Sequence, residues 1–171
     1  MSNLSDIKVL FLAKYAPKDK LPFLSTKNIY ATYHYEIYKI LKEIFPQLIP
    51  SDNPAIMLKD NLDFDFIFSL YNRMPFRNSE VFVSAVAEYH GIPYLGARPN
   101  IRALAEDKHL AKMLAHYSGV LTPEWKTYDV DEKIIAPDFE APYFIKPRFG
   151  AASLFIDEGS ICNTWDKARE R

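Results

Sequence analysis

Ile7 to Ala13 is a nearly unbroken apolar run, interrupted by Lys8, of the kind a parallel strand shows when both of its faces are covered. A loop with Pro17, Asp19 and Pro22 follows. From about Asn28 the spacing changes: Ile29, Tyr30, Tyr33, Ile37, Ile40, Leu41 and Ile44 recur at three and four until Pro46, which predicts a helix. Leu48 to Met57 is broken by prolines, and its strand content stays open. Phe64 to Leu70 predicts a second strand, Glu80 to His90 a short apolar helix stopped by Gly91 just past its end, and Ile92 to Leu95 another strand. Alternating strands and helices are the pattern of an α/β fold, an open and mostly parallel sheet with flanking helices. Ligands bind such sheets beyond the carboxyl ends of the strands. The loops Tyr15 to Ser25, Tyr71 to Asn78 and Gly96 to Asn100 therefore fall on the functional edge. Arg73 and Arg77, in the second of these loops, read either as solvated arginines or as ligand contacts.

Past Pro99 the pattern becomes a single long helix. Asn100 is a suitable N-cap, Ile101, Leu104, Ala105, Lys108, Ala111, Leu114 and Tyr117 share one face, and Gly119 closes the segment. Lys108 interrupts that apolar stripe. An ammonium there must snorkel, pair or point into a polar site, because burial without a partner is too costly. The alternative is a helix that breaks near Asp107 and restarts, leaving Lys108 free to face a cleft. Beyond Leu121, Thr122 and Pro123, Trp125 to Tyr128 predicts a strand and Asp129 to Ile135 a weak helix.

Glu140 to Asp157 carries the candidate chemistry. Pro142 to Ile145 is a short aromatic and β-branched strand that delivers Lys146 at its end. In the loop Pro147 to Ser153, Gly150, Ala151, Ala152 and Ser153 have almost no side-chain bulk, so backbone N–H groups can approach an anion. Lys146 and Arg148 add a point charge and a fork of donors. Leu154 to Ile156 reads as the returning strand of a hairpin, unlike the strand-loop-helix of a Walker site, whose GxxxxGK[ST] is absent. The competing reading is an ordinary hairpin with a solvated lysine. Ile161 and Cys162 form a last strand pair, Asn163 or Thr164 an N-cap, and Trp165 to Arg171 the opening turns of a helix. One hairpin and a short helix bury too little for an independent core, which points to part of something larger.

Composition narrows the classes. Of 171 residues, 49% are hydrophobic and 25% charged, close to globular averages. The apolar runs are too short for a membrane span or a secretory leader, which places the chain in the cytoplasm. The single cysteine, Cys162, has no partner for a disulfide or a thiolate metal site and reads as packing. With a net charge of −1 and interspersed signs there is no footprint for nucleic acid. The many tyrosines and phenylalanines fall at core-like spacings rather than along a basic groove.

Four segments in order, GIPYLGA at Gly91 to Ala97, LAEDK at Leu104 to Lys108, GVLTP at Gly119 to Pro123 and FIKPRFGAAS at Phe144 to Ser153, resemble the ATP-grasp ligases, especially D-alanine:D-alanine ligase and its relatives. KPRFGAAS is also similar to the loop of carbamoyl-phosphate-synthetase-type ATP-grasp domains. The resemblance covers roughly Asp65 to Asp157. It implies a Rossmann-like pre-ATP-grasp domain over residues 1–99, then a linker helix and a partial, incomplete first ATP-grasp lobe over residues 100–171. It implies ATP and magnesium as cofactors, and small carboxylate and amine substrates such as amino acids. A carboxylate would attack the γ-phosphate to give an acyl phosphate, which an amine converts to an amide. Lys108 and Lys146 would hold the phosphates, and the loop Arg148, Gly150, Ala151, Ala152 and Ser153 would close over them. The second lobe, with its acidic magnesium ligands, would follow Arg171, and the fragment alone would be inactive. Two departures stand out: Phe155 occupies a position that is usually glycine, and Asp19 to Asn28 lacks the family's glutamate-and-serine arrangement. Glu36 lies on the corresponding helix but reads better as a solvated helical carboxylate. The alternative is a non-catalytic ATP-grasp-derived module that dimerises through its first domain. A small Rossmann-like nucleotide binder is the third reading, against which stands the lack of GxGxxG after the first strand.

Overall fold

The computed structural model describes residues 3–17, 29–71, 79–150 and 153–171. The chain divides into two compact units, Met1–Arg102 and Ala103–Arg171.

In the first unit, β1 (Val9–Leu12) lies between β2 (Leu48–Ser51) and β3 (Phe66–Ser69), and all pairings are parallel. Every β1 residue is buried, for the reason its sequence suggests. Leu10 and Leu12 point into one cluster with Met57, Ile67, Val83, Ala87 and Ile92, while Val9, Phe11 and Ala13 point into the other with Leu48, Ile37, Leu41 and Phe45. Period-two alternation thus feeds two cores from one strand. Each fully buried aliphatic side chain contributes about 1.5–3 kcal/mol.

Helix α1 (Ile29–Ile44) covers the second cluster and α2 (Val81–Tyr89) the first. The ambiguous segment after α1 is strand β2. Pro50 sits in it because β2 is an edge strand, where a missing N–H leaves no ladder bond unmade. Helix α2 ends as Gly91 requires: Ile92 N–H donates to Ala87 O and Gly91 N–H to Glu88 O, with Gly91 at φ 67°. The strand expected at Ile92 to Leu95 is reduced to one parallel bridge between Tyr94 and Ile67, because Pro93 has no N–H to extend it. Arg73 and Arg77 lie outside the described residues.

The helical pattern after Pro99 takes the alternative with a break near Asp107: it is two helices, α3 (Pro99–Glu106) and α4 (Lys108–Tyr117). Asn100 is inside α3 rather than capping it, since Pro99 takes the first helical position and Arg98 O accepts the first bonds. Asp107, in an extended conformation, caps α4 by accepting from His109 N–H and Leu110 N–H. Gly119 then ends α4 with the bond pattern seen at Gly91.

Three expectations fail in the second unit. Trp125 to Tyr128 is not a strand and Asp129 to Ile135 is not a helix. Side chains hold that stretch in irregular form: Tyr128 Oη donates to Ile135 O and Asp129 N–H to Glu132. Leu154 to Ile156 is a turn, not a returning strand. The partner of β4 (Tyr143–Phe144) is instead β5 (Ile161–Cys162), antiparallel, with Tyr143 opposite Cys162. The intervening chain turns at Asp157, whose carboxylate accepts from Gly159 N–H while Ser160 Oγ accepts from Asp157 N–H. Thr164 caps α5 (Trp165–Glu170), which packs Trp165 against the rings of Tyr128 and Tyr143.

Candidate functional site

The break at Asp107 makes Lys108 the first residue of α4. Its backbone N–H donates to Arg148 O at 3.1 Å, and its ammonium donates to Gly150 O at 2.6 Å and Arg148 O at 3.4 Å. Carbonyls of the small-residue loop therefore face the start of the helix. Gly150 holds φ 95°, a conformation a Cβ would strain even where space is open.

Arg148 is oriented by a carboxylate. Its Nε donates to Asp107 Oδ1 at 2.8 Å and an η-nitrogen to Oδ2 at 2.7 Å, a two-pronged ion pair. Asp107 is 2% exposed, and the same Oδ1 also caps α4. The Arg148 hydrogen bonds, opposed by burial, hold the Asp107 carboxyl below its ordinary pKa, and Asp107 in return raises that of Arg148.

Lys146 follows β4, exposed, with its ammonium 5.9 Å from the Phe144 ring centroid. Its charge reaches two lysines on α4. Burial first, then the charge of Lys146, lowers the pKa of Lys108, against the pull of Glu106 and Asp107. The same two causes lower that of Lys112. Lys108 and Lys112 are four residues apart on one helix face. Lys112 is fixed by Thr122 Oγ1 and Pro123 O, both at 2.7 Å, and lies over the Trp125 ring, whose indole donates to His109 Nδ1. The Lys146 ammonium is thus in electrostatic reach of Lys108 and of Lys112, and like charges so placed repel.

The structure thus brings Lys108, Lys146, Arg148 and Gly150 into one region of the second unit. Ser153 stands at the far end of the loop with φ 53°, and Phe155 beyond it at φ 61° with 80% of its surface exposed. Ala151 and Ala152 lie outside the described residues. Glu36, in the first unit, pairs with Lys39 on α1. The periodicity reading used Asp107 only as the place where the helix could break, and gave Lys112 no role. An aspartate directly before a helical run, and a lysine one turn after Lys108, were the signals available for them.

No family model matches the chain. In sequence it is similar to a putative D-alanine–D-lactate ligase of Streptomyces coelicolor, 35% identical over 81 residues, 47% of this chain and 23% of that protein. It is 28% identical over 129 residues to a D-alanine–D-alanine ligase of Clostridium botulinum, covering 70% of this chain and 41% of that one. The vancomycin/teicoplanin A-type resistance protein VanA of Enterococcus faecium is 27% identical over 88 residues, 52% of this chain and 26% of VanA. In fold, the crystal structure of D-alanine–D-alanine ligase from Bacillus anthracis complexed with ATP matches 77% of this chain and 41% of that one, with TM-score 0.54 and 20% identity. The resemblance drawn from the four motifs is borne out, and with it the α/β architecture of the fold. The chain spans less than half the length of each of these relatives.

Proposed function

We propose that this D-alanine–D-alanine ligase-like chain supplies the phosphate-gripping part of an ATP-dependent carboxylate–amine ligase. The observation that carries the reading is Lys108, at the start of α4, held against the carbonyls of Arg148 and Gly150 on the loop that follows Lys146. A polyphosphate bound beside the two lysines would offset the repulsion that the charge of Lys146 exerts on Lys108, and positioning with charge neutralisation is most of what phosphoryl transfer asks of a protein. The relatives' names support D-amino or D-hydroxy acids as the substrate class. In that reaction a carboxylate oxygen takes the γ-phosphoryl group and ADP leaves; an amine or hydroxyl then displaces phosphate from the acyl carbon. Among the described residues there is no group of three or more His, Cys, Asp or Glu side chains that could hold a metal ion. No described helix is long and apolar enough to cross a membrane.

Titration of the chain with a fluorescent ATP analogue tests this reading. Lys108→Ala and Lys146→Ala are each expected to weaken binding about tenfold or more, the loss of one charge-assisted contact. Unchanged affinity in both variants, or no binding by the wild-type chain, would defeat it. Amide formation is measured on the whole native polypeptide as amino-acid-dependent phosphate release.

A second reading, a self-associating module, is favoured by α1. Ile29, Tyr33, Ile40 and Ile44 are all exposed and lie along one stripe of that helix. Sedimentation of wild type against Ile40→Lys decides it: a dimer lost in the variant supports the module, and a wild-type monomer removes it.

A further inference from the structure

Lys108 and the Lys146 loop are distant in sequence, and what joins them is the Asp107 carboxylate, which the LAEDK motif contains but to which the sequence reading assigned no contact. Asp107 accepts four hydrogen bonds: two amides of α4, and Arg148 through both of its oxygens. Arg148 in turn offers its carbonyl to the Lys108 amide and, with Gly150 O, to the Lys108 ammonium. The side chain of Arg148 points at Asp107, while its backbone lies against Lys108. A guanidinium whose fork is filled by a buried carboxylate has little net charge left to give an anion.

We propose that Asp107 and Arg148 are a positioning pair: they fix the segment 148–150 against the start of α4, and so set the spacing of the Lys108 and Lys146 ammonium groups, without Arg148 itself gripping phosphate. The consequence for nucleotide rests on the function proposed above. The pair itself does not.

Two measurements separate the possibilities. Asp107→Ser keeps an oxygen to cap α4 but removes the acceptor for the guanidinium. If Arg148 gripped phosphate directly, freeing it and deleting a nearby negative charge would tighten the ATP analogue. A positioning pair predicts the opposite: Asp107→Ser and Arg148→Ala each loosen binding by a similar factor, roughly tenfold, and the double variant is no worse than either, as coupled residues behave. Arg148→Lys restores charge without the fork and is expected to recover only part of the loss. Tighter or unchanged binding in Asp107→Ser, or additive losses, would overturn the proposal.

The second measurement needs no ligand. Hydrogen exchange at the Lys108 amide, which donates to Arg148 O, is expected to speed up equally in Asp107→Ser and Arg148→Ala, while the amides in the later turns of α4 keep their protection. Unchanged exchange at Lys108 refutes the pair. Faster exchange at Lys108 in a chain that binds no ATP analogue keeps the pair and removes the nucleotide function.

Discussion

The two units are held together by different physics. In the first, the buried residues are mostly aliphatic and line both faces of β1, whereas in the second the buried apolar residues among those described are Cys162 and Ala168, accompanied by Asp107, Glu106 and Ser160. One unit rests on area removed from water, which is non-directional and tolerant of detail. The other rests on caps, turns and a charged clasp, which work only in one geometry. A scaffold can be built the first way. A surface that must present ammonium groups at set distances needs the second.

Both tryptophans, Trp125 and Trp165, belong to the second unit, so their fluorescence follows it separately from the first. Ile67→Ala is expected to have the largest effect, about 2–5 kcal/mol lost from the first unit, as for other large-to-small core changes. Hydrogen exchange of β1 and β3 should report that loss while the tryptophan transition in urea stays put. If the tryptophan midpoint moves equally, the units unfold as one and the contrast dissolves. Asp107→Ala should act in reverse. It removes a cap and strands a partly exposed guanidinium, about 1–3 kcal/mol, seen in the tryptophan transition and not in β1 exchange.

Acid should act on the units at different pH. Burial lowers the pKa of His34, whose Nδ1 accepts from the Tyr15 amide, so the unfolded chain binds its proton first. The first unit is therefore expected to be fully stable above about pH 6.5 and to weaken as pH falls below it. Asp107 is shifted the other way for an acid, its folded pKa depressed by Arg148. Its contribution is whole above about pH 4 and is lost on further acidification. Exchange followed from pH 8 to 5 should soften around β1 and α1 before the tryptophan signal changes, and His34→Gln should abolish the early phase. Simultaneous loss of both would contradict the assignment. The smallest effect is a gain. Phe155→Gly relieves a left-handed backbone at a non-glycine residue and is expected to raise the stability read from the tryptophan transition by about 1 kcal/mol.

The same contrast decides what could be read in advance. The Ile7 to Ala13 run, the α1 spacing and the stops at Gly91 and Gly119 are local signals, and the structure carries them out within a residue or two. In the second unit the decisive partners are remote. Nothing near Leu154 says that β4 will pair with Ile161 and Cys162 instead, because a two-residue strand has no period to detect. Trp125 and Tyr128 have strand-like chemistry, but their polar tips go to His109 and to Ile135 O, and those bonds outweigh local preference. Lys108 and Lys146 were legible as candidates from residue type and resemblance. Asp107, the group that relates them, was visible in sequence only as the place where a helix could break, since its bond to Arg148 spans 41 residues.

That span has a cost of its own. Tying off some forty residues of chain takes about 3 kcal/mol of configurational entropy on a simple loop-closure estimate, more than one half-open ion pair returns. The clasp is therefore expected to close late, once the aromatic stack of Tyr128, Trp165 and Tyr143 has shortened the tether, and a nascent chain halted before Pro147 would carry its first lysine with no register for the second.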